Sequence, residues 1–213
     1  MTQVYAWMMA GLLITGAVGL FVANNFFLFA SIFSNTIFYI GLILVQLGVV
    51  VWISARIGSM APALATTLFL LYSALTGLTF GVVFLVYEPA AIATTFFVTA
   101  GSFAGLSLLG YTTKRDLSGM GKFLFMALIG LLLASLVNFF FRNPALYWIT
   151  TYAGVLIFAG LTVYDTQKIK NLVFQFQGDE TNLQRVTILG ALTLYLDFIN
   201  LFLFLLRILG NRR

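Results

Sequence analysis

Apolar residues run on for about twenty positions at a time along this chain, the length that crosses the hydrocarbon core of a bilayer as an α-helix. Short polar breaks separate the runs. Seven runs occupy roughly residues 4–23, 35–54, 61–86, 91–110, 122–141, 146–167 and 186–208. None shows the alternating period of a membrane β-barrel strand. The pattern predicts an all-α membrane protein, a bundle of seven transmembrane helices. The breaks are the stretch that Asn24-Asn25 opens, Arg56 to Met60, Tyr87-Glu88-Pro89, Tyr111 to Gly121, Arg142-Asn143-Pro144 and, as the longest, Lys168 to Arg185. No break can fold by itself, so residues 1–213 are expected to form a single integral membrane domain.

Composition narrows the function classes. Of 213 residues, 62% are apolar and 8% charged, where soluble domains carry about 25% charged residues. A soluble domain, a disordered chain and an extramembrane catalytic domain are excluded. There is no Cys and no His. Disulfides, thiolate chemistry and Cys-ligated metal are therefore absent, and proton chemistry must use one of six carboxylates or a perturbed Tyr or Lys. The net charge of +5 comes from residues scattered at the ends of the runs. No basic stripe interleaves with aromatics, so no nucleic-acid partner is expected.

Basic residues at span ends set orientation instead. Arg56, Lys114, Arg115, Lys122, Lys168, Lys170 and Arg185 flank the breaks after spans two, four and six. Arg142, Arg207, Arg212 and Arg213 fall on the other side. The excess predicts a cytoplasmic N-terminus and, with seven full crossings, a C-terminus on the periplasmic or extracellular side. If the last run were re-entrant, the basic tail would return to the cytoplasm. Val4 to Ala23 follows no Lys or Arg and lacks an Ala-x-Ala site, so it reads as a retained span. With no glycosylation or lipidation signal visible, the chain fits a multi-pass protein of a bacterial inner membrane.

Gly77-x-x-x-Gly81 and Gly101-x-x-x-Gly105 are read as helix-packing sites, because small residues let backbones approach closely. The 23 Phe are read as lipid-facing or packing residues. Gln46 and Asn138 are expected to make interhelical hydrogen bonds.

Two carboxylates lie within the apolar runs and not in the breaks between them. Asp197 lies about 11 residues into the last run, and Asp165 lies near the end of the sixth. A charged Asp at a helix centre costs roughly 2.5–3.5 kcal/mol on insertion scales, so each should face the bundle interior. Thr193, Asp197 and Asn200 share one face of the seventh helix, and Thr162 and Asp165 share one face of the sixth. If those stripes meet, the two acids share a proton and act as a pH sensor without histidine. Pairing at equal depth requires the seventh helix to start outside the bilayer or the sixth to continue past Lys168. Lys168 at i+3 is an alternative partner for Asp165, and Arg56 is the expected counter-ion.

Tyr164-Asp165-Thr166-Gln167-Lys168 and Leu194-Tyr195-Leu196-Asp197-Phe198-Ile199-Asn200-Leu201-Phe202, with Leu206-Arg207 following, resemble the bacterial branch of the Bax inhibitor-1 family, the transmembrane Bax inhibitor motif proteins. Ser73-Ala74-Leu75-Thr76-Gly77-Leu78-Thr79 and Thr113-Lys114-Arg115-Asp116-Leu117-Ser118 extend the resemblance over essentially the whole chain. It implies a seven-helix bundle with the last helix at its centre, and a pH-sensitive Ca2+ leak. In that leak two aspartates, matching Asp165 and Asp197, share a proton, and an arginine, matching Arg56, takes part in gating.

The expected function is thus a cation leak. Asp165 and Asp197 form the gate and candidate Ca2+ ligands, with Thr162, Thr193 and Asn200 as polar lining. Hard cations prefer such oxygen donors. The expected partners are the bilayer, Ca2+ and protons, and no cofactor is expected. Alternatives are a proton-coupled carrier, a membrane partner that modulates a protease or stress response, and a di-aspartyl intramembrane protease. The last is disfavoured because Leu-Tyr-Leu precedes Asp197 where such enzymes carry Gly-x-Gly, and no enzymatic activity is expected.

Overall fold

The computed structural model describes residues 1–211. Arg212 and Arg213, two of the basic residues counted for orientation, lie outside the described residues. The chain forms helices α1 (Thr2–Asn24), α2 (Phe26–Phe33), α3 (Thr36–Arg56), α4 (Pro62–Val86), α5 (Pro89–Thr112), α6 (Ser118–Phe141), α7 (Pro144–Gln175) and α8 (Glu180–Leu209). All but α2 are long and apolar enough to cross a membrane. The seven anticipated spans are therefore present, and the last is one uninterrupted helix.

Two features differ from the expectation. The first break contains the short helix α2, whose start is capped by Asn25 accepting the Leu28 N–H at 3.2 Å. The supposed loop of Lys168 to Arg185 is mostly helix: α7 runs to Gln175, α8 starts at Glu180, and a four-residue turn joins them. Charge ends the apolar pattern there without ending the backbone hydrogen bonding. Gly178, at φ 100, supplies the left-handed residue that this tight turn needs. All three prolines open helices, Pro62, Pro89 and Pro144, where the missing N–H removes no helical bond.

The chain divides into two compact units. The first comprises residues 1–89 and 172–195, and the second residues 90–171 and 196–211. Helix α8 contributes to both. It is also the most enclosed span, with 61% of its apolar window buried and at most 39% in any other.

In the first unit, Val4, Met8, Gly11, Thr15, Gly19 and Val22 form the buried stripe of α1 against α4. A Cβ on Gly77 would stand 2.6 Å from Val18 Cβ and 2.9 Å from the Thr15 carbonyl oxygen, and one on Gly81 2.6 Å from Val22 Cγ1. Both glycines are close approaches of the two helices, as expected. Gln46 Nε2 donates to the Leu75 carbonyl at 3.2 Å, also as expected. Asn138 instead accepts the Asn143 N–H at 2.8 Å and closes the α6–α7 turn.

The second unit packs α5, α6, α7 and the later part of α8 around Leu124, Leu131, Ile157, Phe158, Leu161, Leu201 and Phe204. Here Gly110 is the indispensable small residue, because a Cβ would lie 2.2 Å from the Val163 carbonyl oxygen. Gly101 and Gly105, read as a packing pair, meet nothing within 4 Å. They lie on the exposed face of α5, so that motif does not pack within the chain. Phe139, Phe140 and Phe141 are all more than 70% exposed, as lipid-facing residues should be.

Asp179 caps α8 by accepting the Asn182 N–H at 3.0 Å and its side-chain amide at 2.7 Å. These bonds hold its carboxyl below the usual carboxylate range. The stabilisation is then complete above the unfolded-state pKa and is lost as pH falls through the lower folded value. Acidification should therefore lower the amide protection factors in the first turn of α8, and Asp179→Ala should show that loss already at neutral pH. Gly110→Ala should destabilise the second unit by about 1–3 kcal/mol through overpacking, seen as a lower melting temperature in detergent. Gly105→Ala should be neutral or slightly stabilising.

Candidate functional site

On α8, Thr193, Asp197 and Asn200 lie one helical turn apart, but they are satisfied differently. Thr193 Oγ1 donates to the Leu189 carbonyl at 2.9 Å, and Asn200 Nδ2 to the Leu196 carbonyl at 2.8 Å. Both use a donor on their own helix and keep an oxygen free to accept. Asp197 is 4% exposed, and its Oδ2 has no hydrogen-bond partner. Buried polar atoms are rarely left so. On α7, Thr162 is fully buried and donates to the Phe158 carbonyl at 2.8 Å. Asp165, one turn further on, is half-buried.

Asp165 and Asp197 both belong to the second unit. Asp165 is close enough to Asp197 for their charges to interact, and Lys168 is close enough to Asp165. The helix lengths meet the requirement for pairing at equal depth. The seventh span begins 17 residues before Asp197, and the sixth continues ten residues past Asp165. Arg56 is exposed in the last turn of α3 and belongs to the first unit.

The family profile described as "Inhibitor of apoptosis-promoting Bax1" matches residues 1–213. The chain belongs to the Bax inhibitor-1 family. It is 58% identical to the inner membrane protein YbhL of Escherichia coli, over all of this chain and 92% of that one. A Borreliella burgdorferi protein is 45% identical over all of this chain and 92% of its own length. Protein YrjE of Lactococcus lactis is 36% identical over 98% of this chain and 89% of its own length. With seven spans, this member of the family is an integral membrane protein of the lipid bilayer.

Beside the carboxylates, the structure places residues that the sequence reading did not single out. Thr166, next to Asp165, exchanges a 2.9 Å hydroxyl hydrogen bond with Ser107 of α5. Gln167 is 8% exposed and clamps the α5–α6 connection. Its Oε1 accepts the Leu117 N–H at 3.1 Å, and its Nε2 donates to the carbonyls of Arg115 at 2.8 Å and Thr113 at 3.4 Å. Lys170 Nζ adds a 2.7 Å bond to the Tyr111 carbonyl. The connection that follows α5 is thus tied to α7 immediately beyond Asp165. Gln167 stands inside the quoted motif, yet nothing in a linear string shows that its amide faces three peptide groups some fifty residues away.

A second polar group lies in the first unit. Thr15 Oγ1 donates to the Ser73 carbonyl at 2.9 Å and lies 2.6 Å from the Tyr195 hydroxyl. The fully buried Tyr195 ring packs edge-on against Phe69 and Tyr72. These hydroxyls answer one another and fix the earlier half of α8.

Among the described residues, no three His, Cys, Asp or Glu side chains cluster as a metal site would require.

Gln167→Leu should leave the Leu117 N–H without its partner, at a cost of about 1–3 kcal/mol. The expected signature is faster amide exchange and proteolysis confined to residues 113–117, with the spans still protected.

Proposed function

We propose that this protein is a pH-sensitive cation leak that passes Ca2+ and is gated by protonation of Asp165 and Asp197. The observation that carries the reading is the buried Asp197, whose Oδ2 is sealed from solvent without a partner, with Asp165 close enough for the two charges to interact. Two acids in such surroundings cannot comfortably both ionise, so they hold one proton between them. Losing that proton adds one negative charge to a span that otherwise offers neutral donors. The added charge draws in a hard cation, for which carboxylate, hydroxyl and amide oxygens are the fitting ligands. Thr162, Thr193 and Asn200 line the route with oxygens whose donors are already engaged. Lys168 acts as the nearby cation for Asp165, and the gating role of Arg56 is the one that the family resemblance implies.

The similar Escherichia coli protein is named an inner membrane protein, and we assign this chain to the same kind of membrane. The seven basic residues flanking the breaks after spans two, four and six place the N-terminus in the cytoplasm and the C-terminus on the far side. The whole chain acts as one membrane domain.

Purified protein in liposomes loaded with a Ca2+ indicator should show flux that changes between mildly acidic and mildly alkaline buffer. Asp165→Asn and Asp197→Asn should each abolish that pH response. A wild type that passes no Ca2+ at any of these pH values would remove the leak reading. A response unchanged in both variants would remove the site.

A further inference from the structure

One face of α5 carries three buried hydroxyls between Thr95 and Ser107. Thr95, Thr99, Phe103 and Ser107 follow one another at four-residue spacing, so they stack on one side of the helix. The three hydroxyl residues are 0%, 0% and 5% exposed. From Thr95 to Ser107 the ladder climbs about 18 Å at 1.5 Å per residue.

Its place beside the acids follows from ring packing within the second unit. Phe198 lies edge-on to Phe96 at 5.6 Å and to Phe103 at 5.5 Å. The turn of α8 that carries Asp197 therefore runs alongside the stretch of α5 between those two rings, where Thr99 is the buried hydroxyl. At the far end of the ladder, Ser107 bonds Thr166, the neighbour of Asp165. The face thus passes both acids.

A hydroxyl inside a helix ordinarily donates to its own backbone one turn earlier, as Thr99 does to the Thr95 carbonyl at 2.7 Å. Thr95 Oγ1 does not: it is buried with no hydrogen-bond partner. Among the described residues, Asp197 Oδ2 is in the same condition, next in sequence to the Phe198 whose ring meets α5. Two orphaned oxygens and the Thr99 hydroxyl are polar partners of the kind that bound water needs. They fall well short of the six to eight oxygens that a bare Ca2+ takes, so the ligand here is water or the hydration shell of a cation.

We propose that the hydroxyl face of α5, Thr95, Thr99 and Ser107, is the water-bearing wall of the route past Asp197 and Asp165, holding the waters of a small hydrated cation. The role of this wall in conduction rests on the leak reading, whereas its access to water does not.

The absence of cysteine from the chain makes the test direct. Single variants Thr95→Cys, Thr99→Cys and Ser107→Cys, with Val98→Cys and Leu109→Cys on the exposed face of α5, are treated in liposomes with a charged, membrane-impermeant methanethiosulfonate. Only a thiolate in contact with water reacts, so the three hydroxyl-face positions should be modified at least about tenfold faster than the two lipid-face positions. Equal or slower modification overturns the proposal. In parallel, Thr95→Val and Thr99→Val should lower Ca2+ flux severalfold, with Thr99→Ser restoring it. Unchanged flux in both valine variants overturns the lining role even where the thiols react. If the wild type itself passes no Ca2+, the leak reading falls and the labelling pattern alone decides whether this face is wet.

Discussion

A carboxyl group taken out of water must be compensated, and in this protein that requirement centres on Asp197. It occupies the most enclosed span, at 4% exposure, with one oxygen unanswered. Thr193 and Asn200, about one turn away on the same helix, already spend their donors on its backbone, so they can offer lone pairs but few protons. Asp165 supplies a second acid instead of a base. The usual remedies, a paired cation or a ring of donors, are withheld from this oxygen. As a structural bond the arrangement is poor, which is why the proposed gate is placed here.

Around that group the packing is strict. Gly77 and Gly81 let α1 and α4 meet backbone to side chain, and Gly110 lets α5 reach the α7 backbone. Membrane helices gain no hydrophobic advantage by associating with each other rather than with lipid, so close contact carries their association. Hydrogen bonds complete the work where the chain leaves the apolar region. Gln167 holds the α5–α6 connection, and Asp116 folds the start of α6 by accepting the Ser118 N–H and hydroxyl, which keeps its carboxyl below the usual range.

The spans were legible because each is a long apolar run, and the two acids because charge is costly inside one. What stayed hidden has particular causes. Lys168, Lys170 and Arg185 end the apolar pattern, yet residues 168–175 and 180–185 are helical because backbone bonding does not depend on apolar side chains. The helix Phe26–Phe33 is too short to show a period of its own beside the asparagines that bracket it. The same four-residue glycine spacing packs at Gly77 and Gly81 and lies open at Gly101 and Gly105, since spacing within a helix says nothing of what stands opposite. Thr95 and Thr99 look alike in the sequence; only their differing bonds separate them.

The prolines bear on how such a molecule can move. Sharp bends in helices arise chiefly at interior prolines, and here each of the three stands at a helix start. No span carries a built-in elbow of that kind. Whatever rearrangement accompanies a change of charge at Asp197 must be taken up by stiff rods that tilt, slide or turn about their axes, with the short connectors absorbing the displacement.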